Sequence, residues 1–218
     1  MFKKSSSINK TKASFINLVF NYGAAVVQII NSIILVPFYL KFMDFSDYGA
    51  WIAAAAIVNI FMILDPGISA ISAQKLSKSF AEDSDSEYQQ VFISSIFLSI
   101  IFATLILIFG FFITSFIPEL IDYENNKRVD ELNLGLNIYV FAICIVPLFS
   151  VLGSVLQSLL RTFADHVVNL ISILSSPVTI ILCLLNDFGM ASFAFGVLIP
   201  NILRLIGTLI LVIFFWGR

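Results

Sequence analysis

The sequence predicts an all-α integral membrane protein that crosses the bilayer six times. The chain of 218 residues is 59% hydrophobic and only 12% charged, with a mean hydropathy of +1.00, whereas soluble domains carry about 25% charged residues. Its apolar runs reach the roughly 20 residues that a helix needs to cross a hydrocarbon core of about 30 Å. These runs lack the strict alternation of barrel strands, and only helices or closed barrels satisfy every backbone polar group inside lipid.

Six apolar runs define the predicted spans, which cover residues 14–39, 48–65, 90–116, 134–159, 167–185 and 190–216. The basic segment before the first run is also typical of a signal peptide. That run is too long for a signal-peptide core, however, and no A-x-A-like cleavage site ends it. We therefore treat it as the first helix of the mature protein, and we expect 1–218 to form one six-helix transmembrane lobe.

The second span opens at Tyr48-Gly49 and closes at Leu64-Asp65-Pro66-Gly67. Asp65 precedes a helix-breaking pair, and two interpretations stay open: a gating or cation-coupling carboxylate, or a helix-end residue hydrogen-bonded to nearby backbone. The following segment at 75–89 contains the charged run EDSDSE, so we expect a solvated connector there. Trp51 lies near a span end and is expected to be an interfacial anchor.

The later spans each carry one proline, at Pro147, Pro177 and Pro200. Each proline removes a backbone donor and is expected to kink its helix. Ser172 and Ser176 lie four residues apart on one helix face and predict close approach of a neighbouring helix. Asp165 and His166 precede the fifth predicted span, so we expect them to be solvated at the membrane interface.

The basic residues between the spans predict the orientation of the chain, because cytoplasmic loops carry an excess of Lys and Arg. If the spans alternate, one side receives Lys3, Lys4, Lys10, Lys12, Lys75, Lys78, Arg161 and Arg218. The other side receives Lys41, Lys127 and Arg128 together with a larger number of acidic residues. We therefore expect both termini to be cytoplasmic, with 117–133 as the largest external loop.

Several classes of function are disfavoured by the composition. The net charge of −2 gives no reason to expect nucleic-acid binding. Cys144 and Cys183 have no metal-site spacing and His166 is the only histidine, so we expect no metal site and no cofactor. No P-loop is present, which disfavours ATP hydrolysis. A membrane glycosyl- or phosphotransferase needs clustered acids, and loop 117–133 has no D-x-D-like pair, so we expect no enzyme and assign no catalytic residue.

Three short motifs border the first two spans: Pro37-Phe38-Tyr39-Leu40, Asp47-Tyr48-Gly49-Ala50-Trp51 and Leu64-Asp65-Pro66-Gly67. In order and spacing they resemble the P-x-Y-L, Y-G-x-W and L-D-L-G elements of polysaccharide-biosynthesis proteins of the O-antigen flippase type. That family is a branch of the multidrug/oligosaccharidyl-lipid/polysaccharide exporter superfamily. Pro66 stands where Leu is usual. The stretch from Leu160-Arg161-Thr162 to Asn169-Leu170-Ile171 also looks like that family's approach to its fifth helix.

The resemblance implies a fold of twelve to fourteen helices in two similar bundles around a central cavity, of which this chain matches the first six. We expect a fragment, a broken gene, or a half that pairs with a second copy in place of the C-terminal lobe. The implied function is a flippase that moves an undecaprenyl-diphosphate-linked oligosaccharide across the bacterial inner membrane. The alternatives are a multidrug/cation antiporter, which should carry a mid-helix carboxylate, and a non-transporting membrane subunit.

Arg204 is the strongest candidate for a site residue, because it lies near the middle of the sixth predicted span. At 1.5 Å per residue it is roughly 20 Å from either interface, and a charge at that depth costs about 2.5–17 kcal/mol. It must therefore face a watery cavity or a partner. Under the resemblance it would bind the substrate diphosphate through bidentate hydrogen bonds. The alternative is a structural ion pair or hydrogen bonds to helix carbonyls, with Asp65 as the only acid in the predicted spans.

Four amide side chains form a polar stripe on the first span, within an arc of roughly 80° at about 100° per residue. They are Asn17, Asn21, Gln28 and Asn31. Four amides on one face are not expected to contact lipid. Two interpretations stay open: they line a path for the sugar, together with Asn201 of the sixth span, or they form interhelical hydrogen bonds worth about 0.6 kcal/mol each.

Overall fold

A computed structural model describes residues 10–63, 67–123 and 128–216. Within these ranges the chain forms nine helices and no strand. They are α1 (Lys10–Tyr39), α2 (Phe45–Ile63), α3 (Ile68–Ala81), α4 (Asp85–Thr114), α5 (Ile117–Leu120), α6 (Val129–Cys144), α7 (Val146–Ser158), α8 (Thr162–Leu185) and α9 (Ala191–Trp216). The predicted all-α class is confirmed.

Six helical segments of the described chain are long and apolar enough to cross a membrane. They belong to α1, α2, α4, the combined path of α6 and α7, α8 and α9. The prediction of a multi-pass membrane protein is confirmed. Among the helices that begin earlier than predicted are α2, α4 and α8, at Phe45, Asp85 and Thr162. Each carries an acidic residue in its first turn, where the helix dipole stabilises negative charge.

The side chains of α4 are distributed as expected for a helix in lipid. Its buried residues are mostly small or hydroxyl-bearing, such as Ser95, Ser99, Ala103 and Gly110. Its exposed side chains are large and apolar: Ile93, Phe97, Ile101, Ile108, Phe109 and Phe112. Small residues let helix backbones approach closely inside a bilayer, and a Cβ on Gly110 would lie 2.6 Å from Val140 of α6. The exposed apolar surface of α4 therefore has the composition of a surface that faces lipid.

The segment 75–89, predicted as a solvated connector, is largely helical. It is divided between the end of α3 and the start of α4. Ser72 of α3 donates a hydrogen bond to Ser95 of α4 at 2.7 Å, and Leu76 is fully buried. The connector is therefore shorter than predicted, because the small, polar residues of α3 score low in hydropathy yet pack closely between helices. The charged run at 82–87 is exposed or partly exposed, as expected. Its lysines, Lys75 and Lys78, lie on the exposed face.

The path formed by α2 and α3 runs parallel to the path formed by α6 and α7. Near one end, the ring of Trp51 covers Gly135, where a Cβ would lie 2.9 Å from that ring. Near the other end, Ser154 donates a hydrogen bond at 2.8 Å to the carbonyl of Ser69, which is 85 residues away in the sequence. Trp51 and Gly135 are separated by almost the same number of residues in the sequence, so the two paths keep one register. Trp51 is buried and stacks on Phe193, so its predicted role as an interfacial anchor is wrong.

Both of these paths are interrupted near the middle of the bundle. One interruption includes Gly67, whose backbone is left-handed (φ 69°) just before α3, and the other lies at Ile145 between α6 and α7, with Pro147 in the first turn of α7. The shared register pairs Ile145 with residue 60 or 61, so the two interruptions are offset by six or seven residues, roughly 10 Å along the helices. Two hydrophobic clusters lie on the two sides of this central region. The larger includes Trp51, Val58, Ile106, Leu136, Tyr139 and Phe193. The smaller consists of Leu76, Tyr88, Leu152, Val155, Leu156 and Val212.

The helices α8 and α9 form a closely packed antiparallel pair. A Cβ on Gly196 of α9 would collide with Ile180 of α8, so only glycine permits this approach. Pro200 lacks the N–H that would reach the Gly196 carbonyl four residues earlier. Ser176 supplies the missing donor, because its hydroxyl bonds to that carbonyl at 2.6 Å. The predicted close helix approach at Ser176 is confirmed. The Ser176 hydroxyl also replaces the backbone hydrogen bond that Pro200 cannot donate.

Ser176→Ala is expected to destabilise the protein by about 1 kcal/mol, because the Gly196 carbonyl loses its donor inside the bundle. Pro200→Ala in the same background should restore most of this loss, since residue 200 then regains an N–H that reaches the same carbonyl. Thermal unfolding of the purified protein in detergent, measured for the four members of this double-mutant cycle, gives the coupling. Strictly additive effects would contradict the proposed repair.

The end of the bundle where α2 begins is held together by Asp47. Its side chain is only 2% exposed and forms an ion pair with Arg128, which precedes α6. Tyr123 donates a hydrogen bond to the same carboxylate at 2.6 Å. Burial, and next this hydrogen bond, raise the pKa of Tyr123, so the phenol stays a donor. The external loop predicted at 117–133 therefore contains helical segments, namely α5 and the start of α6.

Candidate functional site

Two cavities meet at Arg204, in the middle of α9. The first, called cavity one, has a volume of about 490 Å³ and is lined by α1, α8 and α9, with Tyr48 contributed by α2. The second, called cavity two, has a volume of about 400 Å³ and is lined by α3, α7, α8 and α9. Arg204 lines both. A single guanidinium therefore borders two separate spaces within the bundle.

Four residues predicted for the site line cavity one: Gln28, Asn31, Asn201 and Arg204. They come from α1 and α9, so the structure brings together two helices that are distant in the sequence. Asn17 and Asn21 also lie in α1, but their side chains fall outside what the structure describes. Asp65 lies outside the described residues altogether. The functional roles of all seven residues stay predictions.

Five further polar residues line cavity one that the sequence interpretation did not assign to a site: Tyr39, Tyr48, Asn169, Ser172 and Ser176. The tyrosines belong to the motifs of the resemblance. Asn169, Ser172 and Ser176 lie three and four residues apart, which is one face of a helix. Helical periodicity applied across the fifth span would have found this face. Among the described residues that line cavity one, none is a carboxylate.

Asn201 has a structural contact as well as a place in the cavity wall. Its side-chain amide donates a hydrogen bond at 2.7 Å to the carbonyl of Ala142, in the last turn of α6. The last carbonyls of a helix lack donors within that helix, so Asn201 satisfies one of them where α6 gives way to α7. This bond connects α9 to the interruption at Ile145. Asn201 itself lies three residues before Arg204 in the sequence.

Arg204 is half-buried and retains unused hydrogen-bonding capacity. Its guanidinium carbon lies 4.5 Å from the centroid of the Phe149 ring, which is a cation–π distance. Its Nε is buried and has no hydrogen-bond partner in the described part of the chain. Burying a charged donor without a partner is costly. An anion bound in either cavity would offset the positive charge of the guanidinium.

Asp165 is the acid that shares a cavity with Arg204. It lies in the first turn of α8 and lines cavity two beside His166. Its Oδ1 is buried and, within the described residues, has no hydrogen-bond partner. Asp165 and Arg204 interact electrostatically without forming a direct ion pair. The acid that interacts with Arg204 in the described chain is therefore one that the sequence interpretation expected to be solvated at the interface.

Two expectations about this region were wrong. The predicted fifth span began at 167, but α8 begins at Thr162, so Asp65 is not the only acid within a span. The pair Asp165-His166 is not simply solvated either. Asp165 is half-buried, and the His166 ring stacks on Phe20 of α1 with centroids 5.7 Å apart. These contacts could not be predicted from the sequence, because they depend on how α8 packs against α1, α7 and α9.

The chemistry of the cavities favours an anionic ligand that carries hydroxyl groups. Amides and hydroxyls bond to the hydroxyls of a sugar, and a guanidinium bonds to a phosphate or carboxylate. The residues that the structure describes include no group of three or more His, Cys, Asp or Glu side chains that could hold a metal ion. No protein-family model matches the chain, and neither the curated proteins nor the solved structures give a significant match.

Proposed function

We propose that this protein is a lobe of a flippase that moves a lipid-linked oligosaccharide across the bacterial cytoplasmic membrane. The substrate is a saccharide joined to a polyprenol such as undecaprenol through a diphosphate. Cavity one receives the saccharide, Arg204 binds the diphosphate and the lipid chain stays in the bilayer. The observation that carries the proposal is the convergence of Arg204 with amide and hydroxyl side chains on one cavity of a membrane-spanning bundle.

The charge of Arg204 supports a diphosphate as the group recognised. Arg presents a planar set of N–H donors that matches two phosphate oxygens at once. Charges attract more strongly between the apolar walls of a bundle than in water. The long lipid chain of such a substrate needs no pocket, because the apolar outer surface of the bundle already adjoins lipid. One cation and a polar cavity wall are therefore sufficient to bind the diphosphate and the saccharide of the substrate.

The alternative function as a multidrug/cation antiporter is less well supported. Cavity one contains Arg204, which repels cations, and the described residues that line it include no carboxylate to attract them. A non-transporting membrane subunit would have no need for a cation with an unsatisfied donor in a polar cavity, and such intramembrane charges usually have a function. Both alternatives make distinct predictions in the binding experiment below.

We further propose that both termini are cytoplasmic and that a second bundle covers cavity one. The excess of Lys and Arg on one side supports the orientation. Alternating access needs two bundles that rock against each other, so the second would be a C-terminal lobe or another copy of the chain. Green fluorescent protein fused to the C-terminus, which fluoresces only when it is cytoplasmic, tests the orientation.

Binding of a short-chain prenyl-diphospho-N-acetylglucosamine to the protein in nanodiscs tests the proposed function. We expect saturable binding with a Kd of roughly micromolar order. A prenyl-monophosphate sugar carries one negative charge fewer and should bind at least about tenfold more weakly, since one lost charge-assisted bond costs about 1.5–3 kcal/mol.

The lipophilic cation tetraphenylphosphonium is the control ligand, and we expect it not to bind. Binding of this cation without binding of the diphosphate would favour the antiporter. Binding of neither compound would favour a non-transporting subunit and contradict the flippase proposal.

A further inference from the structure

We propose that Asp165 is a proton-binding site that controls how strongly Arg204 binds an anion. This inference rests on the proposed anion site at Arg204. It adds Asp165 as a second residue, a proton as a second ligand, and mutual strengthening of proton binding and anion binding. As a carboxylate, Asp165 offsets the positive charge of Arg204 from the side of cavity two. As a neutral acid it does not, and the whole charge of Arg204 is then available to an anion in cavity one.

The position of Arg204 between two cavities makes this competition possible. Asp165 and Arg204 both line cavity two, whereas Arg204 alone of the pair also lines cavity one. Each has a buried polar atom, Oδ1 and Nε respectively, for which the described residues provide no hydrogen-bond partner. Because the two side chains are not joined in a direct ion pair, neither satisfies the other fully. An anion on the other side of the guanidinium therefore competes with a carboxylate that is not locked in place.

The surroundings of Asp165 contain few other charges. From α3, cavity two receives Ser69 and Ala70, and from α7 it receives only uncharged residues. The carboxylate lies against Gly153 of α7, where a Cβ would be 3.5 Å from Oδ2. The titratable or charged groups at cavity two within the described chain are thus Asp165, its neighbour His166 and Arg204 of α9.

These surroundings determine when Asp165 takes up a proton. Burial disfavours a carboxylate, and a nearby positive charge favours it. Arg204 supplies that positive charge as long as no anion is bound. When an anion binds to Arg204, the carboxylate loses this support, and the neutral acid becomes the more stable form. Proton binding and anion binding therefore strengthen each other, and by thermodynamic linkage the effect is reciprocal.

A proton fits this site better than a metal cation. Sodium and calcium ions need several oxygen ligands at once, preferably charged ones. Among the described residues that line it, cavity two offers one carboxylate, and its other side-chain oxygens are the neutral groups of Ser69, Ser150, Ser154, Gln157 and Thr162. The two charged or titratable neighbours of this carboxylate, His166 and Arg204, offer no oxygen. A positive guanidinium in the same cavity also repels a metal ion, but it does not prevent a proton from neutralising the carboxylate.

The test is the affinity for prenyl-diphospho-N-acetylglucosamine in nanodiscs, measured from about pH 5.5 to about pH 8.5. Both phosphates of this probe are esterified, so it lacks the second ionisation near pH 6 of a phosphate monoester. For the unsubstituted protein we expect the affinity to fall by about tenfold or more as the pH rises, because an interaction of one pKa unit corresponds to a factor of ten. For Asp165→Asn we expect tight binding that does not change with pH.

His166→Gln is the matched control, because it removes the other group that titrates in this range and should leave the pH dependence in place. A slope that persists in Asp165→Asn, or that is absent from the unsubstituted protein, would overturn the inference and leave the proposed function standing. If no variant binds the probe at any pH, the proposed function fails and the inference fails with it.

Infrared difference spectroscopy, recorded with the probe at saturating concentration, provides a second readout. With the anion bound, the unsubstituted protein should show the C=O stretching band of a protonated carboxyl group, which disappears as the pH rises and is missing from Asp165→Asn. The same band in Asp165→Asn, or no such band in the unsubstituted protein, would overturn the assignment of the proton to Asp165. This measurement remains decisive even if the substitution alters ligand binding for other reasons.

Discussion

Arg204→Ala is expected to weaken binding of a prenyl-diphosphate saccharide by about 100-fold or more, which is about 2.7 kcal/mol. The reason is that a charge-assisted hydrogen bond contributes about 1.5–3 kcal/mol, and a bidentate contact contains two of them. Arg204→Lys keeps the charge but loses the planar fork, so its loss should be intermediate. The binding assay in nanodiscs measures both variants. In a flippase-deficient strain that the unsubstituted protein restores, Arg204→Ala should abolish the rescue.

Arg161→Ala is the matched control for this experiment. Arg161 is also a cation beside an aromatic ring, with its guanidinium carbon 5.0 Å from the centroid of Phe215. Unlike Arg204, it is not among the described residues that line either cavity. We expect its removal to leave binding unchanged. Full rescue by Arg204→Ala at a normal level of protein in the membrane would be incompatible with the diphosphate assignment.

Arg128→Ala is expected to destabilise the protein by about 2–4 kcal/mol. The substitution leaves the Asp47 carboxylate, whose side chain is only 2% exposed, without its cation. Removing one partner of a buried ion pair costs about 3–5 kcal/mol, and we expect less here because the Arg128 side chain is 37% exposed and solvent screens the pair. The N-terminal dipole of α2 and the hydrogen bond from Tyr123 offset part of the loss. Thermal unfolding in detergent measures the change.

Asp47→Asn should cost less, about 1–2 kcal/mol, because Arg128 can turn toward water and Asn still accepts a hydrogen bond from Tyr123. The two substitutions together should give a protein more stable than Arg128→Ala alone, since no unpaired carboxylate is then buried. If the double variant is no more stable than Arg128→Ala, the buried charge is not the cause of the instability.

The number of membrane crossings was predictable because it depends on a local property. A bilayer requires a continuous apolar run of known length, and each run can be recognised without knowing its neighbours. The ends of the helices were less predictable. Asp47, Asp85 and Asp165 each lie just before an apolar run but within the first turn of the helix, where the helix dipole stabilises a negative charge. Helix α3 was missed because serine and alanine pack closely between helices yet add little hydropathy.

The candidate site was predictable where the free-energy cost of exposing a polar side chain to lipid depends only on the depth of that residue in the membrane. A cation in mid-membrane at Arg204, or amides such as Gln28 and Asn31 on one helix face, must avoid lipid wherever the neighbouring helices lie. Asp165 could not be connected with Arg204 in this way, because their proximity depends on the packing of α8 against α7 and α9. The same holds for Asp47 and Arg128, which are 81 residues apart in the sequence.

The two interruptions near the middle of the bundle have a mechanical consequence. A helix resists bending through its continuous ladder of backbone hydrogen bonds, and breaks in that ladder are where helices bend. On either side of this central region lies a separate hydrophobic cluster, and packed side chains are hardly compressible. The bundle should therefore bend more easily in its central region than at either end. The hydrogen bond from Asn201 to Ala142 places α9, and with it Arg204, in this central region. A small bend there would change the distance between Arg204 and Asp165 and leave both clusters intact.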